Sequence, residues 1–190
     1  MKLFRAVSCS KQTRILPNIT ATWRRMGHIL GACSITLTLP DTTITFSGDI
    51  GRYSVPILKD PEAVPLGDLL LIESTYGDKL HSTEKIPNLL AQVINRTVAR
   101  DGMVLVPAFA VGRTQLLLYY IRELKEQGKI PDIPIIVDSP MARDATSIYV
   151  DHPADYDEDA LQILHAGRQP FLPSKLKFIQ SREESKALNS

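Results

Sequence analysis

One segment in the first half of the chain alternates apolar and polar residues in the manner of β-strands. This pattern covers residues 18–48. Within it, a Pro-Asp pair at 40–41 provides turn chemistry before a second β-rich run at 42–46, so the two runs predict a hairpin. The residues predicted to share one face of the first strand are Ile35, Leu37 and Leu39. A continuous apolar run at 69–72 predicts a further strand of the buried type.

From residue 82 onward the apolar spacing becomes helical. Apolar residues at helical spacing from Ile86 to Val98 predict a first helix, with Ser82 or Thr83 as candidate N-caps and Gly102 beyond its last turn. A second amphipathic helix is predicted to end at Gly128. Its predicted apolar face consists of Leu117, Tyr120, Ile121 and Leu124.

Strand-like runs flank the second helix. They lie at 103–106 and 134–137, and Asp138 directly follows the second run. The order of strand, helix, strand and helix predicts parallel βαβ units, in which right-handed crossovers cover the sheet. The expected fold class is therefore α/β.

The last part of the chain is predicted to be mostly helical, up to about His165. The residues predicted near the surface are Tyr149 and Tyr156, and those predicted to face inward are Leu161 and Leu164. Ser181 begins a sequence with capping-box spacing and predicts a final helix over 182–189.

Composition narrows the function classes only slightly. The 190 residues suit one ordinary domain or two small ones. Because 22 Lys and Arg face 21 Asp and Glu, any site for a polyanion must be a local patch. Cys9 and Cys33 are too few for a disulfide framework and favour a reducing, cytoplasmic setting. No apolar run approaches the roughly 20 residues of a membrane span, so no membrane partner is expected.

Three predicted strand ends carry side chains that can bind a cation. His28 lies between Gly27 and Gly31, Asp49 follows one strand and Glu73 follows another. Taken singly, the histidine fits a hydrogen-bonded structural role and Asp49 fits a turn, whereas a carboxylate after a buried strand needs a partner. Together, one imidazole and two carboxylates suit a cation such as Zn²⁺.

A second group of residues suits a phosphate. The run 107–113 follows a predicted strand and opens a helix, whose N-terminus is expected to offer free N–H groups. Gly112 permits close approach and Arg113 adds a fork-shaped cation. Arg113 can equally pair with a carboxylate. Asp138 and Ser139 follow the next strand, either as helix N-caps or as part of a site.

Five blocks of the sequence resemble, in order, the signature blocks of the β-CASP branch of metallo-β-lactamase-fold RNA nucleases. This branch includes the endonuclease subunit of the polyadenylation machinery and its bacterial and archaeal relatives. The blocks lie at 27–32, 46–52, 72–78, 106–115 and 137–142. The resemblance implies part of a metallo-β-lactamase αββα fold, at 1–75, followed by most of a β-CASP α/β domain with parallel strands, at 76–190.

The resemblance also implies roles for individual residues. His28 is similar to a zinc ligand and Asp49 to the carboxylate that bridges the two Zn²⁺ ions of a complete site. Glu73 is similar to an acidic residue that orients a later histidine, which is absent here. The residues expected to contact nucleic acid or phosphate are Arg52, Phe109, Gly112, Arg113, Asp138 and Ser139.

The sequence departs from the family at the other ligands. No His-x-His-x-Asp-His block precedes His28, and His81, His152 and His165 match no ligand position. Since a catalytic zinc site needs about three protein ligands, we expect an internal fragment that is inactive alone.

The function expected for the parent protein is zinc-dependent cleavage of phosphodiester bonds in RNA, preferably single-stranded RNA. Endonucleolytic and exonucleolytic cleavage both stay open, as does homo-oligomerisation. The alternatives are a non-catalytic RNA-binding scaffold of the same family and a DNA-directed nuclease of the same branch.

Overall fold

The structure, a computed structural model, describes residues 4–80, 82 and 84–188. It divides into two units, Met1–Leu80 and His81–Ser190. Predictions that involve His81, Thr83 and Asn189 fall outside the described residues. Within the described part, no helix has the length and apolar character needed to cross a membrane.

The first unit contains a five-stranded sheet in the order β1-β2-β3-β4-β5. The strands are β1 Thr13–Leu16, β2 Ile19–Arg25, β3 Cys33–Thr38, β4 Thr43–Phe46 and β5 Leu69–Leu71. The first four run antiparallel, and β5 is parallel to β4. The amide of Leu39 donates to the carbonyl of Thr42 at 2.9 Å, which closes the turn between β3 and β4. The predicted hairpin is therefore confirmed.

The better-buried face of β3 is polar. Ser34 and Thr36 are buried, whereas Ile35 and Leu37 on the opposite face are only half-buried. The hydroxyl oxygens of Thr36 and Thr45 lie 3.3 Å apart, within hydrogen-bond distance. Pairing of hydroxyl groups across strands lets this face be buried without losing its hydrogen bonds.

A buried strand was predicted at 69–72, and the strand forms, but the prediction that it is buried is wrong. In β5, Leu69 is 56% exposed, and Ile72, just beyond the strand, is 64% exposed. β5 is the last strand in the sheet order, and a continuous apolar run does not reveal whether a strand lies at the centre or the edge of its sheet.

The second unit is mainly helical. Its helices are α1 Ile86–Val98, α2 Arg113–Glu126, α3 Pro140–Asp151, α4 Glu158–His165 and α5 Arg182–Ala187, with a 3-10 turn at Pro153–Asp155. A cluster of apolar side chains from α1, α2 and the segments after them forms one part of its core. The buried members of this cluster are Ile94, Leu124 and Ile130.

The sequence predicts three helix ends with different accuracy. α1 contains the apolar run from which it was predicted, but its N-cap residue is Lys85, so the prediction of Ser82 is wrong. α2 ends as predicted, because Gly128 adopts a φ of +64° and Lys129 N–H donates to the Leu124 carbonyl at 2.9 Å. Ser181 caps α5 by accepting a hydrogen bond from the amide of Glu184 at 3.1 Å.

A two-stranded parallel sheet completes this unit. β6 Ile135–Val137 pairs with β7 Leu176–Phe178, and α3 and α4 lie between them in the chain. Parallel strands are thus confirmed, although the partner is not the predicted run at 103–106. That run forms no strand within the described residues, and Met103 and Leu105 are 82% and 87% exposed.

The prediction that Tyr149 and Tyr156 lie near the surface is wrong. They are 3% and 1% exposed, and each ring packs edge-on against Phe171 with centroids 6.0 Å apart. The hydroxyl of Tyr156 donates to the carbonyl of Tyr149 at 2.6 Å, which satisfies its polar group. Burial raises the pKa of Tyr156 well above its usual range. Leu161 and Leu164, predicted to face inward, are half-buried.

Candidate metal and phosphate sites

The predicted ligand His28 lies in the loop between β2 and β3, where its side chain is exposed. Gly27 and Gly31 have φ angles of +61° and +82°, which glycine adopts without strain. The amide of Met26 donates to the carbonyl of Ala32 at 2.9 Å and closes the loop. The glycines on either side of the histidine therefore build a tight turn that presents the imidazole to solvent.

The loop that carries Asp49 lies directly against the histidine loop. The amide of Gly51 donates to the carbonyl of Met26 at 2.7 Å. A Cβ atom at position 51 would lie 2.3 Å from the carbonyl carbon of Gly27 and 2.7 Å from the amide nitrogen of His28. Only glycine allows this approach, so the two loops meet backbone to backbone, with Asp49 exposed.

Glu73 links the end of β5 to the same loop. Its Oε1 accepts a hydrogen bond from the amide of Ile50 at 2.6 Å. Its own amide donates to Ser47 Oγ at 3.0 Å, and that hydroxyl donates to the carbonyl of Gly48 at 2.7 Å. The carboxylate expected to need a partner therefore has one, a backbone N–H next to Asp49.

The structure thus brings together the three strand ends that carry His28, Asp49 and Glu73. It also shows two residues that sequence reasoning missed, Ser47 and Gly51. The Ser-Gly-Asp-Ile-Gly run pointed to a turn, but nothing in the pattern indicated which backbone the last glycine contacts.

These residues provide only part of a metal site. Within residues 4–80, 82 and 84–188, no group of three or more His, Cys, Asp or Glu side chains is placed to hold a metal ion. An imidazole and a carboxylate are ligands that suit zinc, yet a catalytic zinc needs about three protein ligands. The described residues therefore do not form a complete hydrolytic centre by themselves.

Two cationic side chains lie near this group of loops in the sequence. Arg52 directly follows Gly51 and is exposed. Lys79 Nζ lies 5.2 Å from the centre of the Tyr76 ring, and Tyr76 is 56% exposed with a φ of +57°. The expectation that Arg52 is available to an anion is consistent with this exposure.

The phosphate site predicted at the start of α2 differs from expectation in its backbone N–H groups. Arg113 is the first residue of the helix, and its guanidinium carbon lies 5.0 Å from the centre of the Phe109 ring. Two N–H groups expected to be free are engaged, because Arg113 N–H donates to the Val111 carbonyl at 3.0 Å and Thr114 N–H to the Phe109 carbonyl at 3.3 Å. That part of the prediction is wrong.

What the helix start does offer is an exposed cation on an exposed aromatic ring. Phe109 is 70% exposed, and Arg113 is exposed as well. Gly112, with a φ of +78°, is the N-cap residue and turns the chain into the helix. The pair can meet both the face of a base and a phosphate.

Of the pair at 138–139, only Ser139 is a helix N-cap. Ser139 is the N-cap of α3, and its Oγ accepts from the amide of Ala142 at 3.1 Å. Asp138 is exposed, and its Oδ2 accepts from the hydroxyl of Ser185 at 2.7 Å. Ser139 is thus used by the helix, while Asp138 joins β6 to α5.

The histidines that match no ligand position have ordinary places in the fold. His152 is the C-cap residue of α3 and His165 ends α4, both exposed.

Comparison with known proteins identifies a domain in the second half of the chain. Residues 114–190 match the model of the Beta-Casp domain. This part of the chain is a Beta-Casp domain. The fold is accordingly mixed α/β, with an antiparallel sheet followed by parallel strands in the Beta-Casp region.

Several relatives cover most of this chain. It is 34% identical over 173 residues to ribonuclease TTHA0252 of Thermus thermophilus and 35% identical over 185 residues to transcription termination factor FttA of a Lokiarchaeum species. It is 33% identical over 149 residues to an RNase J-like protein of Methanocaldococcus jannaschii. These matches cover 90%, 94% and 75% of this chain, but only 39%, 29% and 34% of the respective relatives.

Proposed function

We propose that this chain is part of a zinc-dependent RNA-processing hydrolase that cleaves phosphodiester bonds. The observation that carries the proposal is the contact of Gly51 with Gly27 and His28, which sets the two loops of the expected ligands side by side. Relatives whose names describe ribonucleases support the same reaction class.

In this proposal, His28 and Asp49 hold zinc together with ligands that the described residues do not supply. Zinc, when bound, would supply Lewis-acid activation of water and would stabilise negative charge on the phosphate. Glu73 acts as a positioning residue, since its carboxylate holds the amide of Ile50 and so the backbone that carries Asp49.

The proposed substrate is single-stranded RNA. Every base presents a π-face, so an exposed ring such as Phe109 can stack on bases without reading their sequence. Arg113, lying over that ring, is placed to pair with a neighbouring phosphate, and exposed Arg52 is a second candidate. Binding should therefore weaken as the salt concentration rises.

The test measures cleavage and metal content of the protein made from its complete reading frame. End-labelled RNA and DNA strands of matched sequence are incubated with wild type, His28→Ala and Asp49→Ala. We expect RNA to be cut and the rate to fall about 100-fold or more in each variant, because each change removes a metal ligand. Bound zinc, measured by elemental analysis, should fall with it.

His165→Ala is the matched control, because this exposed histidine ends α4 and fits no ligand position. Its rate and zinc content should equal those of wild type. Undiminished cleavage by His28→Ala would overturn the assigned ligand. Salt-sensitive RNA binding without zinc or cleavage would replace the proposal with a scaffold function, and faster cutting of DNA would replace the substrate.

A further inference from the structure

The two cysteines of the chain face each other. Cys9 Sγ and Cys33 Sγ lie 3.6 Å apart, although 24 positions separate them in the sequence. Neither is in a disulfide; Cys9 is exposed and Cys33 is half-buried. A disulfide has an S–S length of about 2.05 Å, so the sulfur atoms need to approach by only about 1.5 Å.

Backbone contacts beside each cysteine help to hold it in place. Next to Cys9, the amide of Ser10 donates to the carbonyl of Trp23 at 2.6 Å, and its hydroxyl donates to Glu62 Oε2 at 2.7 Å. Cys33 begins β3 and lies opposite Arg25 in the β2–β3 register. Because both backbones are already ordered, closing the bond costs little additional conformational entropy.

We propose that Cys9 and Cys33 form a thiol–disulfide site whose oxidant is a low-molecular-weight disulfide such as oxidised glutathione. The exposed Cys9 thiolate attacks one sulfur of the oxidant and releases one glutathione thiolate. The Cys33 thiolate then attacks the Cys9 sulfur of this mixed disulfide and releases the second. The two cysteines lose two electrons, and their two protons leave with the two glutathione molecules.

The disulfide would link the segment before β1 to the start of β3, which directly follows the loop that carries His28. The carbonyl oxygen of Cys33 lies 2.6 Å from where a Cβ of Gly48 would be. Oxidation therefore acts on the backbone beside Asp49. This consequence for metal binding rests on the proposed function, whereas formation of the disulfide does not.

The experiment exposes the reduced 190-residue chain to oxidised glutathione and follows thiol titre, intact mass and melting temperature. We expect both thiols to disappear, the mass to fall by two hydrogen atoms, and peptide mapping to join Cys9 to Cys33. The melting temperature of the first unit should rise by about 10 °C and return on reduction with dithiothreitol.

Cys9→Ser and Cys33→Ser serve as paired controls. Each should take up a single glutathione and show no rise in melting temperature. Two titratable thiols after treatment, glutathione adducts on both cysteines, or links only between separate chains would overturn the proposal. Failure of RNA cleavage by the protein of the complete reading frame in both redox forms, with the intrachain disulfide present, would count against the proposed function alone.

Discussion

At the scale of single residues, the candidate metal site depends on positions that lack a side chain. A Cβ at Gly27 would lie 2.8 Å from the carbonyl oxygen of Lys59, and one at Gly48 would lie 2.6 Å from that of Cys33. Gly51 is the tightest of the three. Each glycine is visible in the sequence, but the backbone that it touches belongs to a distant segment.

Gly51→Ala tests this packing, and its φ lies outside the left-handed region, so space alone decides the outcome. The added methyl group would clash with the Gly27 carbonyl, and we expect a loss of about 1–3 kcal/mol in the free energy of unfolding. Urea unfolding measures this loss.

Gly31→Asn is the comparison variant, because a Cβ there meets no atom within 4 Å and asparagine tolerates a positive φ. It should stay within about 0.5 kcal/mol of wild type. Equal stability of the two variants would show that the loops do not meet as described.

At the scale of elements, helices were more predictable than strands. α1 contains the apolar run from which it was predicted and α2 ends at the predicted glycine, because apolar spacing and C-terminal glycines act within a few residues. A strand needs a partner elsewhere in the chain. The run at 103–106 has strand composition yet no partner within the described residues, while β7 pairs with β6 and was not predicted.

Ser139 provides a test at this scale, because it caps α3 through a 3.1 Å hydrogen bond from the amide of Ala142. Ser139→Ala leaves that amide without its side-chain acceptor, and we expect a loss of about 1 kcal/mol in the free energy of unfolding. Chemical denaturation followed by circular dichroism measures the change.

Ser139→Asp keeps an oxygen acceptor at the N-cap and should retain most of the stability. If alanine and aspartate at this position are equally stable, the cap contributes nothing to α3.

At the scale of the whole second unit, one carboxylate joins three segments. Asp132 precedes β6 and forms ion pairs with Lys125 of α2 at 2.7 Å and with Lys175, just before β7, at 3.0 Å. Ser174 donates a hydrogen bond to the same carboxylate at 2.8 Å. Lys125, then Lys175 and Ser174, hold the pKa of Asp132 well below its ordinary value of 3.8.

The sign of the pH dependence follows from this lowered pKa. The unfolded chain takes up a proton near the ordinary value, whereas the folded chain resists protonation to lower pH. The stability that Asp132 contributes is therefore present above about pH 4 and is lost as the pH falls through the folded pKa.

Asp132→Asn should lower the melting temperature at pH 7 and narrow its gap to wild type as the pH falls below 4. Thermal unfolding at a series of pH values checks this. The exposed Asp144→Asn, whose carboxylate pairs only with the adjacent Arg143 among the contacts seen here, is the matched control. A gap that is constant with pH would contradict the role of the Asp132 charge.

The sequence by itself determined the helices, the hairpin, the α/β class and the identity of the candidate ligands. These features depend on local spacing, or on residue types whose chemistry is intrinsic, such as an imidazole between glycines. The ordered blocks also indicated the Beta-Casp region that the family model matches at 114–190.

Only the tertiary structure decided what lies inside and what touches what. It buried Tyr149 and Tyr156, left β5 exposed, and set Cys9 beside Cys33. Burial and long-range contact depend on which distant segments share a surface. Which distant segments come together is a property of the folded chain as a whole, and the local spacing of apolar residues does not indicate it.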